Sequence, residues 1–90
     1  MVAEITFGRP FRDDDGGSRR FDHLRDDYVW HRDHYDRTVR VIDGNGWQFQ
    51  FDGCLPFLIR KGTTFRIERG VYHRLIKGVD ELHINIIEHK

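Results

Sequence analysis

The sequence predicts an all-β fold, a barrel or sandwich of short antiparallel strands, and three observations carry that prediction. Runs rich in β-branched and aromatic residues recur from Phe21 onward, separated by Gly, Asp and Asn at intervals of ~8–12 residues. Trp47, Phe49 and Phe51 alternate with Gln48 and Gln50, which sets aromatics on one face of a strand and amides on the other. No stretch carries apolar residues at the three-and-four spacing of a helix.

Val2 to Phe7 reads as a short arm or edge strand, ended by Gly8 and by Pro10, which has no N–H to give a ladder. From Phe11 to Arg20, Asp13, Asp14, Asp15, Gly16, Gly17, Arg19 and Arg20 leave nothing apolar to bury, so a mobile loop is expected. The acidic triplet lacks the alternating ligands and closing Glu of a calcium loop. Residues 1–20 are thus expected as arm plus loop, and residues 21–90 as the barrel. Within the barrel the strand runs are Tyr28 to Arg32, Thr38 to Ile42, Trp47 to Phe51, Leu55 to Arg60, Thr64 to Ile67, Val71 to Ile76 and Leu82 to Ile87. Asp43-Gly44-Asn45-Gly46 has the left-handed-tolerant residues of a tight hairpin turn.

Composition narrows the function classes. The 90 residues make one domain, and 15 Lys plus Arg against 15 Asp plus Glu give zero net charge. That balance argues against a nucleic-acid or anionic-membrane binder, and no apolar run reaches the ~20 residues of a membrane span. A soluble, cytoplasmic protein is expected. The lone Cys54 can staple nothing, so a small core with an open N-terminal edge is expected to find support as a homodimer.

The run from Gly62 to Leu75 resembles the second motif of the cupins, small double-stranded β-helix or jelly-roll barrels. That motif reads glycine, five residues, proline, one residue, glycine, two residues, histidine. Gly62, Gly70 and His73 fall in place, Glu68 stands where the proline usually does, and Lys77 where an asparagine often does. The first cupin motif is His-x-His, three or four residues, Glu, six residues, Gly. Counting back from Gly44 puts Arg37 at the glutamate and His31-Arg32-Asp33 at the His-x-His. The resemblance covers residues 28–88. It implies a jelly-roll barrel but no single activity, because cupins include oxygenases, isomerases, epimerases, decarboxylases, storage proteins and sugar-binding regulators.

Residues two apart on an extended strand share a face, so His31 and Asp33 can point into such a barrel together, with His73 as a third ligand. Two imidazoles and a carboxylate suit non-haem Fe(II), and Mn(II), Ni(II) or Zn(II) can occupy the same set. The order His-x-Asp then His is also similar to that of 2-oxoglutarate-dependent oxygenases, but His83 stands where their cosubstrate-binding Arg or Lys is expected. His34 is an alternative to Asp33 if the strand breaks at a turn there. His23, His83 and His89 have no partners at ligand spacing and read as structural or surface residues.

Arg37 is the opposing observation: inside the barrel its charge repels a divalent ion, pairs with a carboxylate, or receives an anion. A guanidinium held inside the barrel on Asp33 uses up the carboxylate and the catalytic reading fails, whereas one in solvent or at the cavity rim leaves the two-histidine, one-carboxylate site intact. Gln48 and Gln50, with Arg37, are candidates for binding a polar or anionic ligand, provided the amide face is the cavity face. The resulting expectation is a small cupin that holds a divalent metal and a small polar or anionic molecule, with non-haem oxygenase or isomerase chemistry. The alternative is a metal-free, non-catalytic ligand-binding or structural cupin.

Overall fold

A computed structural model describes residues 10–90. The expected strand at Val2 to Phe7 lies outside the described residues. Eight strands appear among those described: β1 (Phe11–Asp13), β2 (Ser18–Phe21), β3 (Asp36–Asp43), β4 (Gln48–Phe51), β5 (Phe57–Leu58), β6 (Thr64–Ile67), β7 (His73–Ile76) and β8 (Leu82–His89). They form two antiparallel sheets, ordered β1-β2-β8-β3-β6 and β5-β4-β7. The pairing is nested: β3 takes β8 while β4 takes β7, strands far apart in sequence and wrapped in pairs, as in a jelly roll.

Burial follows the alternation. On β3 Val39 and Val41 face inward, on β4 Phe49, and on β8 Leu82 and Ile84, which with Phe21, Trp47, Ile59 and Ile67 make the core between the sheets. Trp47 is wholly enclosed, and its indole N–H donates to the Asp80 carbonyl at 2.7 Å, so the core's largest side chain carries no unmet donor.

Three expectations change. The segment from Phe11 to Arg20, expected as a loop, forms the β1–β2 hairpin closed by a 3-10 turn at Asp15–Gly17. Phe11 packs on Phe21 with ring centroids 5.6 Å apart, and the charges pair: Arg19 with Asp13 at 2.6 Å and Arg20 with Asp14 at 2.9 Å. The turn at residues 43–46 joins no hairpin, because β3 and β4 belong to different sheets. It is a corner packed on the 78–81 turn, where Asp80 accepts from both the backbone and side-chain N–H groups of Asn45. A Cβ at Gly78 would run into the Asn45 carbonyl and the Trp47 indole, so only glycine fits this close approach. Finally, Tyr28 to Arg32 is extended coil instead of a strand and joins the smaller sheet at one rung, His31 with His73.

Candidate metal centre and cavity

That rung builds the site. The His31 N–H donates to the His73 carbonyl at 3.0 Å and the His73 N–H to the His31 carbonyl at 2.9 Å. Residues paired this way stand directly opposite and point the same way, so both imidazoles line the cavity, His73 buried and His31 at the mouth with its side chain 54% exposed. Their neighbours turn outward: Arg74 lies over the Trp30 ring at 4.8 Å and Arg32 over Tyr72 at 5.3 Å. Asp33, two residues beyond His31, returns to the inner face, and its carbonyl is held by the Gly70 N–H at 3.0 Å.

The tautomers follow from the backbone. Nδ1 of His31 lies 3.0 Å from the Val29 carbonyl and Nδ1 of His73 lies 2.9 Å from the Val71 carbonyl. A carbonyl only accepts, so each Nδ1 carries the proton and each Nε2 of a neutral ring presents a lone pair. Burial pushes the His73 pKa down, against the Val71 carbonyl, which raises it. The ring is only 2% exposed and stacks on Phe49 at 5.3 Å, so it is neutral in the folded chain above its lowered pKa.

Asp33 completes the set. Its side chain is 7% exposed, with Oδ2 at 3.4 Å from Nε2 of His73 and Oδ1 at 4.0 Å from Nε2 of His31. Oδ2 is buried with no hydrogen-bond partner, and with a neutral His73 the 3.4 Å approach brings two acceptors face to face. One donor atom from each of the three residues lies within 4.8 Å of the other two. Ligands ~2.1 Å from an ion stand ~3–4 Å apart, so small side-chain rotations bring the set to coordination distance. The residues fit a metal by number, type and tautomer.

Arg37 takes the inner of the two expected positions, the one that counts against catalysis, although its stronger pairing is with Glu88. It lines the cavity, 19% exposed, and gives Nε and Nη2 to Glu88 Oε2 at 3.1 and 2.8 Å. Only Nη1 approaches Asp33, at 3.4 Å from Oδ1. The pairing engages Oδ1, the oxygen nearer His31, and leaves Oδ2 facing His73. His34 is exposed and outside the converging set. Gln48 and Gln50 lie on the outer face of β4, away from the cavity that Phe49 lines. Gln50 donates to the Cys54 carbonyl at 3.0 Å and accepts from Arg74 at 2.9 Å.

The histidines open onto a cavity of about 230 Å³ between the sheets, walled by Phe21, Tyr28, Phe49, Phe65, Leu82 and other apolar side chains. Arg19 also lines it, a residue that sequence reasoning placed in a loop. Its signal was the Phe11 to Phe21 spacing, which brackets a hairpin whose inner face alternates.

No family model and no curated protein sequence matches the chain. Among solved structures it is similar to a cupin-2 domain protein from Shewanella frigidimarina, at 20% identity and a TM-score of 0.58, covering 97% of this chain and 76% of that one. An RmlC-like cupin from the same organism aligns at 16% identity and 0.59, covering 94% and 87%. KdgF from a Halomonas species aligns at 17% identity and 0.60, covering 96% and 93%. The fold is the cupin jelly roll.

Proposed function

We propose that this small cupin holds a divalent first-row metal ion through His31, Asp33 and His73 and binds a small molecule in the adjoining cavity. One observation carries the reading: two imidazoles commit Nδ1–H to backbone carbonyls and present Nε2 to the Asp33 carboxylate, His73 to the buried Oδ2 that has no hydrogen-bond partner and His31 to Oδ1 at 4.0 Å. Three converging acceptors, one of them charged, favour a cation among them. When bound, the ion supplies a Lewis-acid centre and, as iron, an oxygen-binding one, the chemistry of an isomerase or a non-haem oxygenase. The chain's own residues set the conditions. Phe49 and the Val71 carbonyl fix the His73 ring, Asp33 supplies the negative charge, and the apolar walls exclude water from the ligand side.

The metal-free reading rests on Arg37, whose contact with Asp33 neutralises part of the charge that a metal needs. Elemental analysis of untagged protein separates the two. Stoichiometric metal in the wild type, lost in Asp33→Asn and His73→Ala, is the expected result. Clean metal-free protein in all three after incubation with Fe(II), Mn(II), Ni(II) and Zn(II) overturns it.

A further inference from the structure

The lining of the cavity bears on the kind of molecule it takes. Building on the cavity just described, we infer that the ligand is a small apolar monocarboxylate, its body among the core aromatics and its carboxylate at Arg19 and Arg37.

The inference begins with what the walls lack. Phe49, Phe65, Ile59, Ile67 and Leu82 offer no donors or acceptors, and the two glutamines of β4 face outward. A polyhydroxylated ligand would give up its water hydrogen bonds along these walls and recover only those that the histidines and arginines at the edges can supply, whereas a hydrocarbon body gains by leaving water. Size agrees: a dry apolar cavity of ~150 Å³ accepts benzene, so about 230 Å³ takes a ring with a short side chain.

The charge lies at one boundary. Arg19, Arg37 and Ile86 line both this cavity and an open polar cleft that also includes Asp13, Asp14, Glu88 and Lys90. The two arginines therefore stand at a waist between an apolar chamber and water. Each side chain is 19% exposed, a charge kept where burial is costly. Arg19 uses Nε and Nη2 on Asp13, at 2.6 and 3.2 Å, and lies over the Phe11 ring at 3.9 Å, which leaves Nη1 for a ligand. Arg37 spends Nε and Nη2 on a single Glu88 oxygen and turns Nη1 to Asp33 Oδ1 at 3.4 Å, which leaves one further N–H on each Nη. The acidic side chain in the lining, Asp27, is occupied by Arg25 at 2.6 Å. A carboxylate is the group that guanidinium forks recognise, and an attached apolar body directs it inward.

Calorimetric titration with 3-phenylpropionate tests this, run on chelator-treated protein and again with Zn(II) added. The comparison ligands are 3-phenylpropionamide, equal in shape without charge, and glucuronate, equal in charge with a hydroxylated body. The acid is expected to bind chelated protein at least ~10-fold more tightly than the amide, with no saturable glucuronate binding. Arg19→Met and Arg37→Met should each weaken the acid by ~10-fold and leave the amide within ~3-fold. Equal affinity for acid and amide, saturable glucuronate binding, or no binding of either phenyl compound overturns the inference, and these wild-type comparisons decide it even if a variant misfolds. Because the decisive titration is metal-free, acid binding without metal uptake removes the metal reading alone, while metal uptake without acid binding removes this one alone.

Discussion

Replacing Asp33 by Asn should change the sign of its effect on stability when a metal is added. In metal-free protein the buried Oδ2 faces the Nε2 lone pair of His73 at 3.4 Å, an acceptor against an acceptor. A side-chain amide introduced there and turned that way donates to Nε2, replacing an unmet acceptor by a hydrogen bond worth ~1 kcal/mol net. The lost attraction to Arg37 is small, because the guanidinium keeps Glu88 at 2.8 Å and the amide oxygen still accepts. A gain of ~1 kcal/mol raises Tm by ~4–8 °C in a domain of this size. With metal at ~100 times its Kd, the wild type gains ~2.7 kcal/mol that the variant lacks, and the order of melting reverses. Differential scanning calorimetry of both proteins, with chelator and then with Zn(II) or Mn(II), reads the crossing. If Asp33→Asn melts well below the wild type under chelation, Asp33 is a structural partner of Arg37 and His73 and the unmet-acceptor reasoning fails.

Gly78→Ala should prevent folding or cost more than ~3 kcal/mol in urea titrations, since the new methyl group meets backbone at Asn45 and the buried indole of Trp47. A normal midpoint would show that the corner can open. Trp47→Phe strands the Asp80 carbonyl and leaves a void, and a loss of ~2–4 kcal/mol is expected; no change would mean water replaces the indole N–H. The carboxyls of Asp36 and Asp80 are held below the usual range, Asp36 chiefly by the Arg69 backbone N–H and Asp80 chiefly by the Asn45 amide. Depressed carboxyls contribute stability above the unfolded value of 3.8 and lose it as pH falls through the lower folded value. The drop in urea midpoint from pH 6 to pH 3 should therefore be shallower in Asp80→Asn, and an unchanged drop would dismiss Asp80 as its source. A homodimer remains our proposal, supported by exposed Leu24, Val29, Leu55 and Val79, and sedimentation at micromolar concentration giving a monomer would reject it.

Local pattern was enough for parts of this molecule. The alternation from Trp47 to Phe51 assigned β4 and its inward aromatic face, and the Gly62, Gly70, His73 spacing found the histidine that the fold buries. His31 and Asp33 were legible only by counting from that motif, because nothing in Tyr28 to Arg32 distinguishes a strand from coil held by one rung. The β1–β2 hairpin was hidden because its inward face is partly made of paired charges, which resemble a solvated loop until Asp13 is seen beside Arg19. Asp43 to Gly46 has the residues of a hairpin turn, and those residues serve a corner between sheets equally well. The sequence leaves Arg37 a choice between inside and outside. It lies inside, where Glu88, 51 residues away, holds most of the guanidinium, and only the β3–β8 pairing reveals that partner.

The reciprocal rung between His31 and His73 makes the site a fastener. The backbone groups that pin the crossing coil to the smaller sheet belong to two of the three residues offering ligand atoms, so lifting the coil takes donors from an ion at the same moment. With a metal bound as proposed, occupancy and local opening are linked quantities: loading holds the coil down, and chelation frees it to lift. The amide protons of His31 and His73 become a built-in occupancy gauge, slow to exchange with solvent deuterium when the ion is in place and faster once it is stripped.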